Sequence, residues 1–136
     1  MKEIIDYLNQ IDKYDCMIES KLEELKRYRL TAMGMSSFSG GERVQTSGSQ
    51  QTMADIICKY IDLESQIEEC ARKRSEIISV IEMLDSQKYI VMHKRYVLKM
   101  PYYEIGISCG KTESWATTTH GRALKDVKKI LEERKK

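Results

Sequence analysis

Two long stretches of the chain carry apolar residues at alternating steps of four and three. In the first, Ile4, Leu8, Ile11, Asp15, Ile18, Leu22, Leu25 and Arg29 fall on one line. In the second, the line runs through Ile56, Tyr60, Leu63, Ile67, Cys70, Arg74, Ile77, Ile81 and Leu84. That alternation is the heptad pattern of helices that bury a seam against a partner. It predicts helices over about residues 2–30 and 53–84. Such a helix is marginal alone in water, so each needs something to pack on. Folding back into an antiparallel, coiled-coil-like hairpin satisfies both seams, and so does pairing between subunits. Asp15 and Arg74 are polar members of the two seams. In an antiparallel hairpin they fall at similar height, where pairing would favour one register.

Between the two stripes lies TAMGMSSFSGGERVQTSGSQQT, residues 31–52, rich in Gly, Ser, Thr and Gln. It reads as a linker, with turn signals at Gly40-Gly41 and Ser47-Gly48-Ser49. No Gly-Lys-Ser/Thr closes it, so it does not match a phosphate loop.

Past Leu84 the pattern shortens. Asp85-Ser86 is a break with capping potential, and a helix over Gln87 to Lys99 would bury Tyr89, Met92 and Tyr96. Pro101 ends that helix and suits the first turn of the next. Gly110 supplies a turn with positive φ. Thr112 can cap a third helix, with Glu113 in its favourable first turn. Ile105, Gly106, Cys109, Ala116, Ala123, Leu124 and Val127 would form the inward face. Gly106 permits a close helix crossing, Gly110 makes the turn, and Ala116 sets the second helix against the first. That is the spacing of a helix-turn-helix, whose second helix can enter the major groove. A plain helical hairpin inside an α-bundle is the alternative. The expected fold is therefore all-α, with a helical hairpin over 1–84 and a helix-turn-helix domain over 85–136.

Charge sharpens the picture. The chain carries +2 overall. From Asp85 onward there are 12 Lys/Arg against 6 Asp/Glu, and the preceding 84 residues carry 11 against 15. A positive end on a nearly neutral chain suits a polyanion. No run of 18 apolar residues occurs, so no membrane span is expected. The opening MKEIIDYLNQ is amphipathic and acidic, unlike a signal peptide, and a cytoplasmic protein is expected. Cys16, Cys58, Cys70 and Cys109 form no C-x-x-C pair, and His93 and His120 lie far from any such pair. They read as apolar thiols, and no metal or other cofactor is expected. No nucleophile or acid is arranged with His120, which reads as structural or phosphate-facing, so the chain is not expected to be an enzyme.

On the expected reading helix, Ser114, Trp115, Thr117 and Thr118 occupy the positions that face base edges. The alternative is a solvated face with Trp115 lying on a neighbouring helix. Lys111, Arg122 and Lys125 suit phosphate contacts, which position a protein without reading sequence. Lys99, Lys128 and Lys129 could add reach.

Tyr89 to Val127 resembles the region-4 DNA-binding domain of bacterial sigma factors. More closely, the chain is similar to phage and prophage transcriptional regulators of the RinA/ArpU type. The matching residues are Arg95-Tyr96, Tyr103-Glu104-Ile105-Gly106, Thr112, and His120-Gly121-Arg122-Ala123-Leu124. Upstream, Val44 to Gly48 (VQTSG) and the helix containing IICKYIDLE extend the resemblance. The chain departs from the group's pattern at Gly106, where Ala is usual, at Thr112, where Ser is usual, at Ala116, and at Lys111 in the turn. The resemblance implies a sequence-specific, double-stranded DNA-binding regulator of late phage genes, working near a promoter with bacterial RNA polymerase. DNA readers often double their footprint by two-fold symmetry, so a homodimer is expected. A small-terminase-like packaging protein and a non-catalytic helical adaptor are the competing functions.

Overall fold

The structure, a computed structural model, describes residues 1–37 and 52–135. Among these residues every regular element is helical: α1 (Lys2–Ser37), α2 (Met53–Glu82), α3 (Ser86–Met92), a π-helical turn (His93–Val97), α4 (Tyr102–Ser108) and α5 (Glu113–Arg134). No helix among them is long and apolar enough to cross a membrane.

The first helix runs past its expected end near residue 30. Ala32 and Met33 are good helix formers, and Gly34 alone does not stop the helix. Thr31 Oγ1 bonds back to the Arg27 carbonyl at 2.9 Å, inside the helix. Residues 38–51, which hold the expected turn signals and the VQTSG stretch, lie outside the described residues. The second helix begins where expected. Thr52 Oγ1 accepts from Asp55 N at 3.1 Å, and Asp55 Oδ2 accepts from Thr52 N at 3.3 Å. This reciprocal pair satisfies two donors that a helix start otherwise leaves free.

The chain divides into two compact units, and not at residue 85. One unit comprises Cys16–Ala71 and the other Met1–Asp15 with Arg72–Lys136. In the first unit, Lys21 Nζ donates to Gln66 Oε1 at 2.7 Å and Arg29 Nη2 to Tyr60 Oη at 3.3 Å, which sets the two helix segments antiparallel. Ile56, Leu63 and Cys70 are buried there, while Ile18, Leu25 and Ile67 are half-buried. Leu22 departs from the expected seam and stays 50% exposed.

In the second unit, Leu8 and Ile11 join Ile77, Val80 and Ile81 in a core shared with Met92, Tyr96, Ala123, Leu124 and Val127. The hairpin's outer ends thus belong to the same hydrophobic body as the C-terminal helices. The heptad line alone hides this, because Val80 lies off the stripe and is fully buried. Arg74 Nε donates to Asp15 Oδ1 at 2.5 Å, so the two polar seam members do meet. Lys99 Nζ closes on the same acidic group, 2.8 Å from Asp12 and 3.2 Å from Asp15.

Asp85 caps α3 by accepting from Lys88 N at 3.1 Å. The helix expected over 87–99 runs without a gap from α3 into the π-helical turn and ends at Val97. There Leu98 N reaches back to the His93 carbonyl and Met100 N to the Lys94 carbonyl. Lys99 takes a positive φ of 59°. A non-glycine residue rarely does so, and here its side chain is held by two aspartates.

Candidate nucleic-acid interface

Helices α4 and α5 are joined by a four-residue turn, Cys109 to Thr112. Gly110 sits in it at φ 70°. The turn closes through Lys111 N to the Gly106 carbonyl at 2.8 Å and Gly110 N to the Ile107 carbonyl at 3.0 Å. Thr112 caps α5, its Oγ1 accepting from Trp115 N at 3.0 Å. Gly106 is where the turn presses on α4. A Cβ there would lie 2.4 Å from the Thr112 carbonyl oxygen and 2.9 Å from Glu113 N. Those are backbone atoms, so only glycine allows this approach. Ile105 and Ala116 are fully buried and pack with Val91 of α3, and Ala123 is fully buried in the main core. The structural residues expected for the unit therefore all occupy structural places.

One face of α5 is buried through Ala116, Thr119, His120, Ala123, Leu124 and Val127. The opposite face holds Ser114, Thr117, Thr118, Arg122, Lys125, Lys128 and Lys129, all exposed. Hydroxyls fill its first turns and cations the later ones. Among the described residues, Lys111, Arg122, Lys125, Lys128 and Lys129 make no ion pair. Other basic residues of this unit are engaged by carboxylates or by an aromatic ring. Lys88 Nζ lies 2.6 Å from Asp126 Oδ2, Arg74 and Lys99 hold Asp15, and Arg95 lies over the Tyr102 ring at 4.1 Å. Lys99 is accordingly not part of the free positive face, against expectation.

The expected base-reading residues are not equivalent. Ser114 and Thr118 are exposed and project from the helix start. The Thr117 hydroxyl is turned back onto the Ser114 carbonyl at 3.0 Å. Trp115 is half-buried and packs against the small cluster of Val91, Ile105 and Ala116, so much of its ring serves the fold. Trp115 also lines an apolar groove with Ile90 and Cys109, rimmed by Lys94 and Lys111.

Behind the exposed face sits a polar centre that sequence reasoning missed. His120 is buried between two tyrosines. Its Nε2 is 2.7 Å from Tyr96 Oη and its Nδ1 is 3.3 Å from Tyr102 Oη. Arg95 covers Tyr102 and donates from Nη1 to the Met100 carbonyl at 3.2 Å. Burial first, and then the Arg95 charge, push the His120 imidazole down to about 4, so it is neutral at pH 7. Burial likewise raises the Tyr96 phenol. Each ring nitrogen thus has one tyrosine partner, one bond donating and one accepting. His120 is structural and does not face phosphate. The signal was the pair Arg95-Tyr96, but nothing local links it to a histidine 24 positions on.

Compared with protein-family models, with curated proteins and with solved structures, the chain gives no match.

Proposed function

We propose that the protein is a sequence-specific reader of double-stranded DNA, a regulator of phage or prophage late genes. In this reading α4, the turn and α5 form a helix-turn-helix like that of sigma region 4, and α5 lies in the major groove. The observation that carries it is the free face of α5, with Ser114 and Thr118 at its start and Arg122 and Lys125 further along. Hydroxyls at the start of a reading helix can bond several base edges. Unpaired cations beside them neutralise phosphates and release counterions. Lys111 extends the positive rim to the turn. The action is binding, without catalysis, in the cytoplasm of a bacterial host.

The promoter role and the partnership with RNA polymerase rest on the resemblance of Arg95-Tyr96, Tyr103 to Gly106 and His120 to Leu124 to the phage regulators. Binding as a homodimer is part of the proposal. Ile57 and Ile61 of α2 remain about half exposed and would gain from a second copy.

The test is selection from random duplexes with the purified full chain, repeated with Thr118→Ala and Trp115→Ala. An enriched motif that Thr118→Ala weakens, by on the order of 1–3 kcal/mol for a base edge left without its partner, supports the reading. Uniform, salt-sensitive binding without a motif would overturn specific recognition and favour a packaging protein. Undetectable binding at low salt would favour a helical adaptor.

A further inference from the structure

Three described glycines lie in the α4–α5 unit, and the fold explains only two of them. Gly106 is required by the Thr112 backbone, and Gly110 by its positive φ. Gly121 sits in the interior of α5 with ordinary helical backbone, and a Cβ built on it meets no atom within 4 Å. Glycine is the poorest helix-interior residue after proline, since it gives up the most backbone freedom. The fold therefore bears the cost of Gly121 without using the space that it leaves. Gly34 is similarly open, but it lies in the last turn of α1, where helices fray.

The position of Gly121 shows what that space adjoins. Ser114, Thr118, Gly121 and Lys125 follow one another at steps of four, three and four, which places the half-buried Gly121 on one line with three exposed side chains. Gly121 is thus a notch in that line, with a hydroxyl one turn before it and a cation one turn after it. Arg122 stands at its side.

Resting on the DNA-binding reading, we infer that Gly121 is a steric contact position, where the deoxyribose-phosphate backbone of a duplex comes against the main chain of α5. Interior helix N–H groups are already bonded, so the notch offers no donor. It acts by letting the strand come close enough for Arg122 and Lys125 to hold the flanking phosphates. A methyl group would keep the strand away and lengthen both contacts. The cations that flank the notch favour the sugar-phosphate chain over a base edge as its occupant.

The inference makes stability and binding change in opposite directions. Gly121→Ala should raise the melting temperature of the full-length protein, as Gly→Ala does in a helix interior. It should weaken binding to every duplex alike, by about tenfold or more if both flanking phosphate contacts lengthen. Gly34→Ala, the control, should leave DNA affinity unchanged. A Gly121→Ala protein with a raised melting temperature and wild-type affinity would overturn the inference, as would a lowered melting temperature, which would make the glycine a requirement of the fold. Weakening confined to a selected sequence would assign the notch to a base edge instead and overturn it too. If the wild-type protein binds no duplex at low salt, it is the DNA-binding reading that fails, a result seen before any variant is compared.

Discussion

At the scale of single residues, two positions in the C-terminal unit carry sharp consequences. Gly106 sits where the turn before α5 presses on α4. In this chain a methyl would sit 2.4 Å from a backbone carbonyl oxygen that cannot swing aside. Gly106→Ala should therefore destabilise the protein by roughly 1–3 kcal/mol, the usual cost of overpacking; a denaturant titration reads it, and an unchanged midpoint would contradict the close approach. His120 gives a dependence on pH. Its folded value, about 4, lies below the ordinary 6.5. The neutral form is thus favoured by folding, and its contribution is complete above pH 6.5. As pH falls from there towards 4, the unfolded chain takes up the proton first and stability declines; below about 4 the decline levels off. The span corresponds to about 3 kcal/mol at most, less what residual solvent contact screens. His120→Gln should flatten the profile between pH 6.5 and 4, and an unaltered profile would show that another group sets it.

At the scale of elements, α1 and α2 meet at a polar contact between their two seams. Asp15 accepts from Arg74 and from Lys99, and both members of the Asp15–Arg74 pair are about a quarter exposed. Partly solvated pairs add little net stability, but removing one partner strands the other. Asp15→Ala and Arg74→Ala should consequently be non-additive, with a coupling of about 0.5–3 kcal/mol in a double-mutant cycle. Additive effects would mean that the Asp15–Arg74 pair does not set the register. Because Lys99 shares the carboxylate, the same ion pair also pins the irregular segment between the π-helical turn and α4.

At the scale of the whole molecule, charge separates into two populations. Lys88, Lys99, Arg74 and Arg95 are engaged by carboxylates or by the Tyr102 ring, whereas Arg122, Lys125, Lys128 and Lys129 share the free face of α5. Arg122→Ala should weaken binding to all duplexes and lower the salt slope by about 0.9 for each phosphate that the arginine no longer neutralises. Lys99→Ala, by contrast, should leave the slope unchanged, and an equal effect from both would break the distinction. Light scattering with and without duplex tests the dimer; a mass that remains that of one chain in both would remove it.

Much of this was legible in the sequence because it is local. Heptad steps specify helices, Asp85 and Thr112 cap them, and Gly106, Gly110 and Ala116 are spaced for a tight turn, since each rests on residues a few positions apart. Even the Asp15–Arg74 pair follows from two periodic stripes once they run antiparallel. The extent of α1 was missed because a Gly/Ser-rich composition conceals a stretch of good helix formers before Gly34. What only the tertiary structure decided is which long side chains meet. The ion pairs of Lys99 with Asp12 and Asp15 and the burial of His120 between Tyr96 and Tyr102 both depend on distant segments converging. Lysines that look alike in the sequence are likewise free or committed according to whether a carboxylate from another helix comes within reach of them.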